Sequence, residues 1–130
     1  MTDLSNPLLD FSGLPRFDAI RPEHVTPAIE QLIADARAVV QGLEAPAQEA
    51  VSWDNFVVPL EEATERLGRA WGVVNHLNHV MDRPELRAVY NENQPKVTEF
   101  WTELGQNEGL FTKYKALRAS TAYELSLIHI

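Results

Sequence analysis

Residues 53–81 read WDNFVVPLEEATERLGRAWGVVNHLNHVM. Within this stretch Trp53, Phe56, Leu60, Ala63, Leu67, Ala70, Val74, Leu77 and Met81 recur at alternating steps of three and four. An α-helix turns once in ~3.6 residues, so that spacing gathers them on one face. Ser52 stands just ahead with a hydroxyl suited to an N-cap. Pro59 lies inside the pattern and is expected to kink or restart the helix, because its ring clashes with the preceding turn. Gly68 and Gly72 are interior too, and each weakens a helix by ~1 kcal/mol relative to alanine.

Upstream, Val25, Ile29, Leu32, Ala36, Val39 and Leu43 form a second stripe, widened by Ala28, Ile33 and Val40. It predicts a helix over about 23–43, opened by Pro22 and Pro27, where missing amide donors cost little. Gly42 followed by Pro46 is expected to end it. Residues 1–21 carry Pro7, Gly13 and Pro15 and read as an extended, proline-rich lead-in. Leu8, Leu9, Phe11, Leu14, Phe17 and Ile20 predict that it packs against the helices rather than trailing free. Downstream, a third helix is expected to begin near Pro84, with Asp82 and Glu85 at capping-box spacing. Its predicted buried face is Leu86, Val89, Tyr90, Val97, Trp101 and Leu104, with a kink or break at Pro95. A shorter fourth helix holds Leu110, Phe111, Tyr114 and Leu117. Nothing alternates long enough to build a sheet. The expected fold is all-α, about four helices in an up-and-down arrangement.

The chain has 130 residues, 45% apolar and 23% charged, which suits one soluble domain with a modest core. Lys and Arg number 11 against 19 Asp and Glu, a formal charge of −8. No basic run occurs, so neither nucleic acid nor an anionic membrane is an expected partner. There is no cysteine, which excludes disulfides and thiolate metal sites. The first ten residues lack the pattern of a secretory signal.

Candidate chemistry is sparse. His76 and His79 could share a helix face, and His24, Glu61, Glu62 and Asp82 could add donors, which would make a small metal binder. The zinc-peptidase helix needs His-Glu-x-x-His, with the glutamate as general base. This chain offers His76-Leu77-Asn78-His79, so a structural role, such as a hydrogen bond at a helix–helix contact, is expected instead. Glu61, Glu62, Glu65, Arg66 and Arg69 read as a solvated face with Glu62–Arg66 and Glu65–Arg69 pairs. Gly68 and Gly72 are expected to admit a neighbouring helix closely. Trp53, Trp71 and Trp101 could line a groove, but are expected to anchor the core. No catalytic, cofactor-binding or metal residue is assigned.

The stretches Asn6-Pro7-Leu8-Leu9, Leu14-Pro15-Arg16-Phe17 and Ile20-Arg21-Pro22-Glu23-His24-Val25-Thr26-Pro27-Ala28 resemble the start of thimet-type zinc oligopeptidases of the oligopeptidase A group. Ser52-Trp53-Asp54-Asn55, Pro59-Leu60, Val74-Asn75-His76-Leu77-Asn78 and Pro84-Glu85-Leu86-Arg87 continue the likeness. Gly105-Gln106-Asn107-Glu108-Gly109-Leu110 and Tyr114-Lys115-Ala116-Leu117-Arg118 close it. The shared order and spacing cover nearly all of residues 1–120.

The resemblance implies a soluble, cytoplasmic, mostly helical metallopeptidase that cuts short peptides in a channel between two lobes. Its zinc site would lie in a distant carboxy-terminal part with no counterpart here. Residues 1–120 would then be an amino-terminal, non-catalytic wall of one lobe, inactive alone. Its partners would be the rest of the peptidase chain and, in the full-length enzyme, oligopeptides. Residues 121–130 follow neither the family nor the helical pattern. Their ending, Leu125-Ser126-Leu127-Ile128-His129-Ile130, resembles translated adapter sequence and is expected to be an artefactual tail. The alternative function is a stand-alone helical module that binds a protein or peptide.

Overall fold

The computed structural model describes residues 6–46 and 49–124. They form helices α1 (Pro22–Glu44), α2 (Val58–Val80), α3 (Pro84–Gly105), α4 (Glu108–Arg118) and a single turn, α5 (Thr121–Glu124). A 3₁₀ turn, Pro7–Leu9, precedes α1, and a π-helical turn, Trp53–Val57, leads into α2. No strand occurs among the described residues. Residues 125–130, most of the expected tail, lie outside them, as do the first five residues of the lead-in.

One side chain ties the start of the lead-in to α1. Asn6, which is buried, accepts a hydrogen bond from the Leu8 amide (3.0 Å) and donates to the His24 carbonyl of α1 (2.8 Å). Leu8, Leu9 and Ile20 are thereby drawn into the main core. At the start of α1 the Arg21 amide donates to His24 Nδ1 (3.0 Å), and Pro22 occupies the first helical position. The helix runs past Gly42 to Glu44. No described glycine has a positive φ, so Gly42 is no left-handed cap and the expected stop there is corrected.

Ser52 caps as expected, but caps the π-helical turn: its hydroxyl accepts from the Asn55 amide (3.2 Å), and Asn55 Oδ1 accepts from the Ser52 amide (2.8 Å). The α-helical path starts at Val58, beside Pro59, which is the expected restart. A proline without an N–H is tolerated there because first-turn amides have no intrahelical partner. The capping box at α3 does not form. Asp82 instead accepts from Arg87 Nε (2.9 Å), and Arg83 takes the cap position without a side-chain bond. That hydrogen bond also raises the Arg87 pKa above its usual value. Pro95 does not break α3. Both Pro95 and Asn91, whose carbonyl loses its amide partner, are exposed, so water can serve that carbonyl.

The arrangement follows from cross-helix pairs. Between α1 and α3, Thr26 meets Asn93 (2.8 Å), Glu30 meets Lys96 (2.7 Å) and Arg37 meets Glu103 (2.8 and 3.1 Å). Numbers rise together, so α1 and α3 run parallel. The three-residue link Met81–Arg83 makes α2 antiparallel to α3, and Trp71 stacks on Tyr90 across that contact (4.9 Å between centroids). The expected up-and-down order is observed. Its main core contains Val25, Ile29, Leu32, Leu67, Val74, Val97 and Phe100.

α4 folds back on the far end of α1. Asn107 caps it, accepting from the Leu110 amide (2.8 Å), and its Nδ2 donates to Glu44. Gly109 eases this approach, since a Cβ there would lie 3.1 Å from Glu44 Cγ and 3.3 Å from Asn107 Oδ1, and those side chains would have to give by a few tenths of an ångström. A second, smaller core forms here from Val40, Phe56, Val57, Leu60, Leu110 and Leu117.

Candidate functional site

The histidines do not converge. The His76 ring meets the edge of Phe17 (5.6 Å between centroids, 65°). His79 Nδ1 donates to the Asn75 carbonyl of its own helix (2.7 Å), so it makes a local bond rather than a helix–helix one. His24 Nδ1 is occupied by the Arg21 amide, and Asp82 by Arg87. Glu61 and Glu62 are exposed on α2. Among the described residues no three His, Asp or Glu side chains are grouped so as to hold a metal ion. The described residues therefore assemble no zinc site, and no chemical step is assigned to them.

The charged stretch of α2 is solvated at Glu61, Glu62, Glu65 and Arg66. The two predicted ion pairs are replaced by contacts with the lead-in. Arg66 and Arg69 each place their guanidinium 5.9 Å from the Phe11 ring, and Arg69 donates to the Gly13 carbonyl. An aromatic face and a fixed carbonyl outcompete a flexible surface carboxylate, whose pairing gains only ~0.2–1 kcal/mol.

Two further expectations are corrected. Gly68 and Gly72 face open space, with nothing within 4 Å of the point a Cβ would occupy, so no helix packs on them. Of the three tryptophans, only Trp71 is mostly enclosed; Trp53 and Trp101 are exposed. Trp53 sits on the wider π-helical turn, which takes it out of register with the α2 stripe. On α3 the inward face is Leu86, Asn93, Val97 and Phe100, which leaves neighbouring Trp101 outside.

Sequence reasoning missed Asn93. It is fully buried and donates to Thr26 Oγ1 (2.8 Å) and to the Val89 carbonyl (2.8 Å), tying α3 to α1. An asparagine in a run of exposed polar residues carries no signal of burial beyond its place in the Leu86–Val97 spacing.

What remains are surfaces. One open groove of about 960 Å³ lies where α1 and α3 begin and α2 ends, floored by Ile20, Leu77, Leu86 and Val89 and edged by Phe17, Met81, Arg21 and Arg83. Trp53 and Phe111, in the segments that supply the small core, are exposed, and so is Tyr114, which packs edge-to-face with Phe56 of that core (4.8 Å between centroids). No described helix is long and apolar enough to cross a membrane.

A family model for the amino-terminal domain of neurolysin and thimet oligopeptidase matches residues 29–127. The chain belongs to the neurolysin/thimet oligopeptidase family. It is similar to oligopeptidase A of Haemophilus influenzae, 43% identical over 120 residues, which are 92% of this chain and 17% of that protein. It is 40% identical to the probable cytosolic oligopeptidase A of Arabidopsis thaliana (89% of this chain, 16% of that one). An organellar, chloroplastic/mitochondrial oligopeptidase A of the same plant is 39% identical (89% and 14%). The chain thus spans about a sixth of the length of the relatives it matches. The resemblance drawn from the amino-terminal motifs is confirmed: residues 29–127 of this all-α chain match the family's amino-terminal domain.

Proposed function

We propose that this chain is the non-catalytic helical part of a zinc-dependent endopeptidase that degrades short oligopeptides, and that it hydrolyses nothing alone. The observation that carries this reading is the coverage: nearly all of this chain aligns with about a sixth of oligopeptidase A, and the matching family domain is an amino-terminal one. The sequence has no His-Glu-x-x-His, so zinc and the general base would come from elsewhere in the longer protein. The partners of these helices are then the rest of the peptidase chain and, across the shared channel, oligopeptides. Nucleic acid and membrane are not partners. A cytoplasmic location is proposed, with the organellar plant relative as the counterexample to test by fractionation.

The test is direct. The purified chain, free of host proteases, is offered an internally quenched peptide with zinc and with a chelator. No turnover is expected in either. Reproducible, chelator-sensitive cleavage would overturn the proposal.

The domain is proposed to occupy residues 1–120 with 121–130 outside it, although the family match runs to residue 127. Genomic DNA beyond codon 120 decides this. A second reading, a stand-alone module that binds a peptide or protein helix, is favoured by the open groove beside Phe17 and Met81. A strictly monomeric chain with no affinity for amphipathic peptides would remove it.

A further inference from the structure

Exposed apolar residues gather at both ends of the bundle, but only one end carries the last described elements, α4 and α5. Phe111 is 64% exposed, Trp53 52% and Tyr114 45%. Single exposed apolar side chains are ordinary, whereas large rings clustered beside a core mark a contact surface. Phe111 and Tyr114 are neighbours on α4, one helical turn apart. Tyr114 in turn covers Phe56, which is only 2% exposed, so part of this small core is closed by a ring that itself remains almost half open to solvent.

We propose that this aromatic face seats the helical segment that follows the domain in the longer oligopeptidase chain. The inference rests on the family-lobe reading above and adds to it the surface used. Three observations select the occupant. First, α4 and α5 are the last described elements, and the family match continues past them to residue 127. Consecutive elements usually pack side by side because connections are short, so the next segment falls beside α5, which itself packs on α4. Second, most of the relatives' length lies outside the matched part, which is called amino-terminal, so there is chain to fill the face. Third, α4 carries exposed Lys115 and Arg118 in a molecule of net charge −8, and Lys115 Nζ lies 5.6 Å from the Phe111 ring. The segment that fits is therefore an amphipathic helix with an apolar stripe edged by carboxylates. The groove beside Phe17 and Met81 lies at the opposite end, away from this exit.

The 130-residue chain has no cysteine of its own, and in the full-length chain labelling is read against the same protein without the introduced thiol. Phe111→Cys is placed in the 130-residue chain and in a full-length chain where this sequence replaces the aligned 120 residues of the Haemophilus influenzae protein. Glu99→Cys, on the exposed side of α3, is the control. Both thiols are expected to react rapidly with a maleimide in the short chain. In the full-length chain Phe111→Cys should slow by about tenfold or more while Glu99→Cys does not, because thiol labelling requires access. Phe111→Asp should leave the short chain's Tm unchanged and lower that of the full-length one. A full-length chain that cleaves peptide yet labels equally at both cysteines overturns the docking inference and spares the family-lobe reading. A full-length chain without peptidase activity counts against the family-lobe reading and, with it, the docking inference.

Discussion

The main core and the small core differ in how they are closed. The first draws on the lead-in and on α1, α2 and α3, and its largest members, such as Phe100 and Leu67, have neighbours all round. The second has six buried members, and part of its wall is Tyr114, a ring almost half in water. The contrast separates a portion that carries its own stability from a portion that finishes at a contact surface. In the family setting, that unfinished end is where the remainder of the protein would attach.

The largest effect that could break this contrast comes from truncating each core in the 130-residue chain. Phe100→Ala is expected to cost about 3–5 kcal/mol, and Leu117→Ala about 2 kcal/mol, the low end for a buried leucine, because α4 can relax around the loss. Urea unfolding monitored by circular dichroism measures both. Equal costs would mean that the two cores are one cooperative unit.

Next in size are the glycines of α2. With nothing near either Cβ position, Gly68→Ala and Gly72→Ala should each stabilise the isolated chain by about 0.5–1 kcal/mol, seen as a higher Tm. A loss of stability would place a neighbour against this face.

The smallest is a pH effect in the lead-in. The Ser12 hydroxyl (2.6 Å) and amide (3.1 Å) donate to Asp10, and Arg16 lies 3.2 Å away. Together they hold the Asp10 carboxyl below its usual pKa, the serine hydroxyl contributing most. A carboxyl with a depressed folded pKa contributes stability above its unfolded pKa, and that stability is lost as pH falls through the lower folded value. The wild-type chain should thus lose slightly more Tm below about pH 4 than Asp10→Asn does. Identical acid profiles would show that Asp10 contributes nothing.

The helices were legible because steps of three and four name the residues that share a face. The expected first helix, about 23–43, differs from α1 by one residue at each end. Periodicity does not say whether anything lies opposite that face. Hence Gly68 and Gly72 looked like a packing site and are open, while Trp53 and Trp101 looked like anchors and are exposed. The Asp82 cap failed for a different reason: a guanidinium five residues on offered a charge-assisted bond that the backbone amides did not match. Family membership was legible in motif order alone. Which surfaces are exposed, and so where attachment occurs, required coordinates.

The polar partners between α1 and α3 have one more consequence. Thr26–Asn93, Glu30–Lys96 and Arg37–Glu103 are spread along the full contact, and each joins residues 66 or 67 apart in sequence. Sliding one helix past the other by a single turn, about 5.4 Å, would separate every pair at once and strand a buried amide. The buried Asn93 amide thus resists longitudinal shear of α3 against α1, the two exposed ion pairs adding little to it.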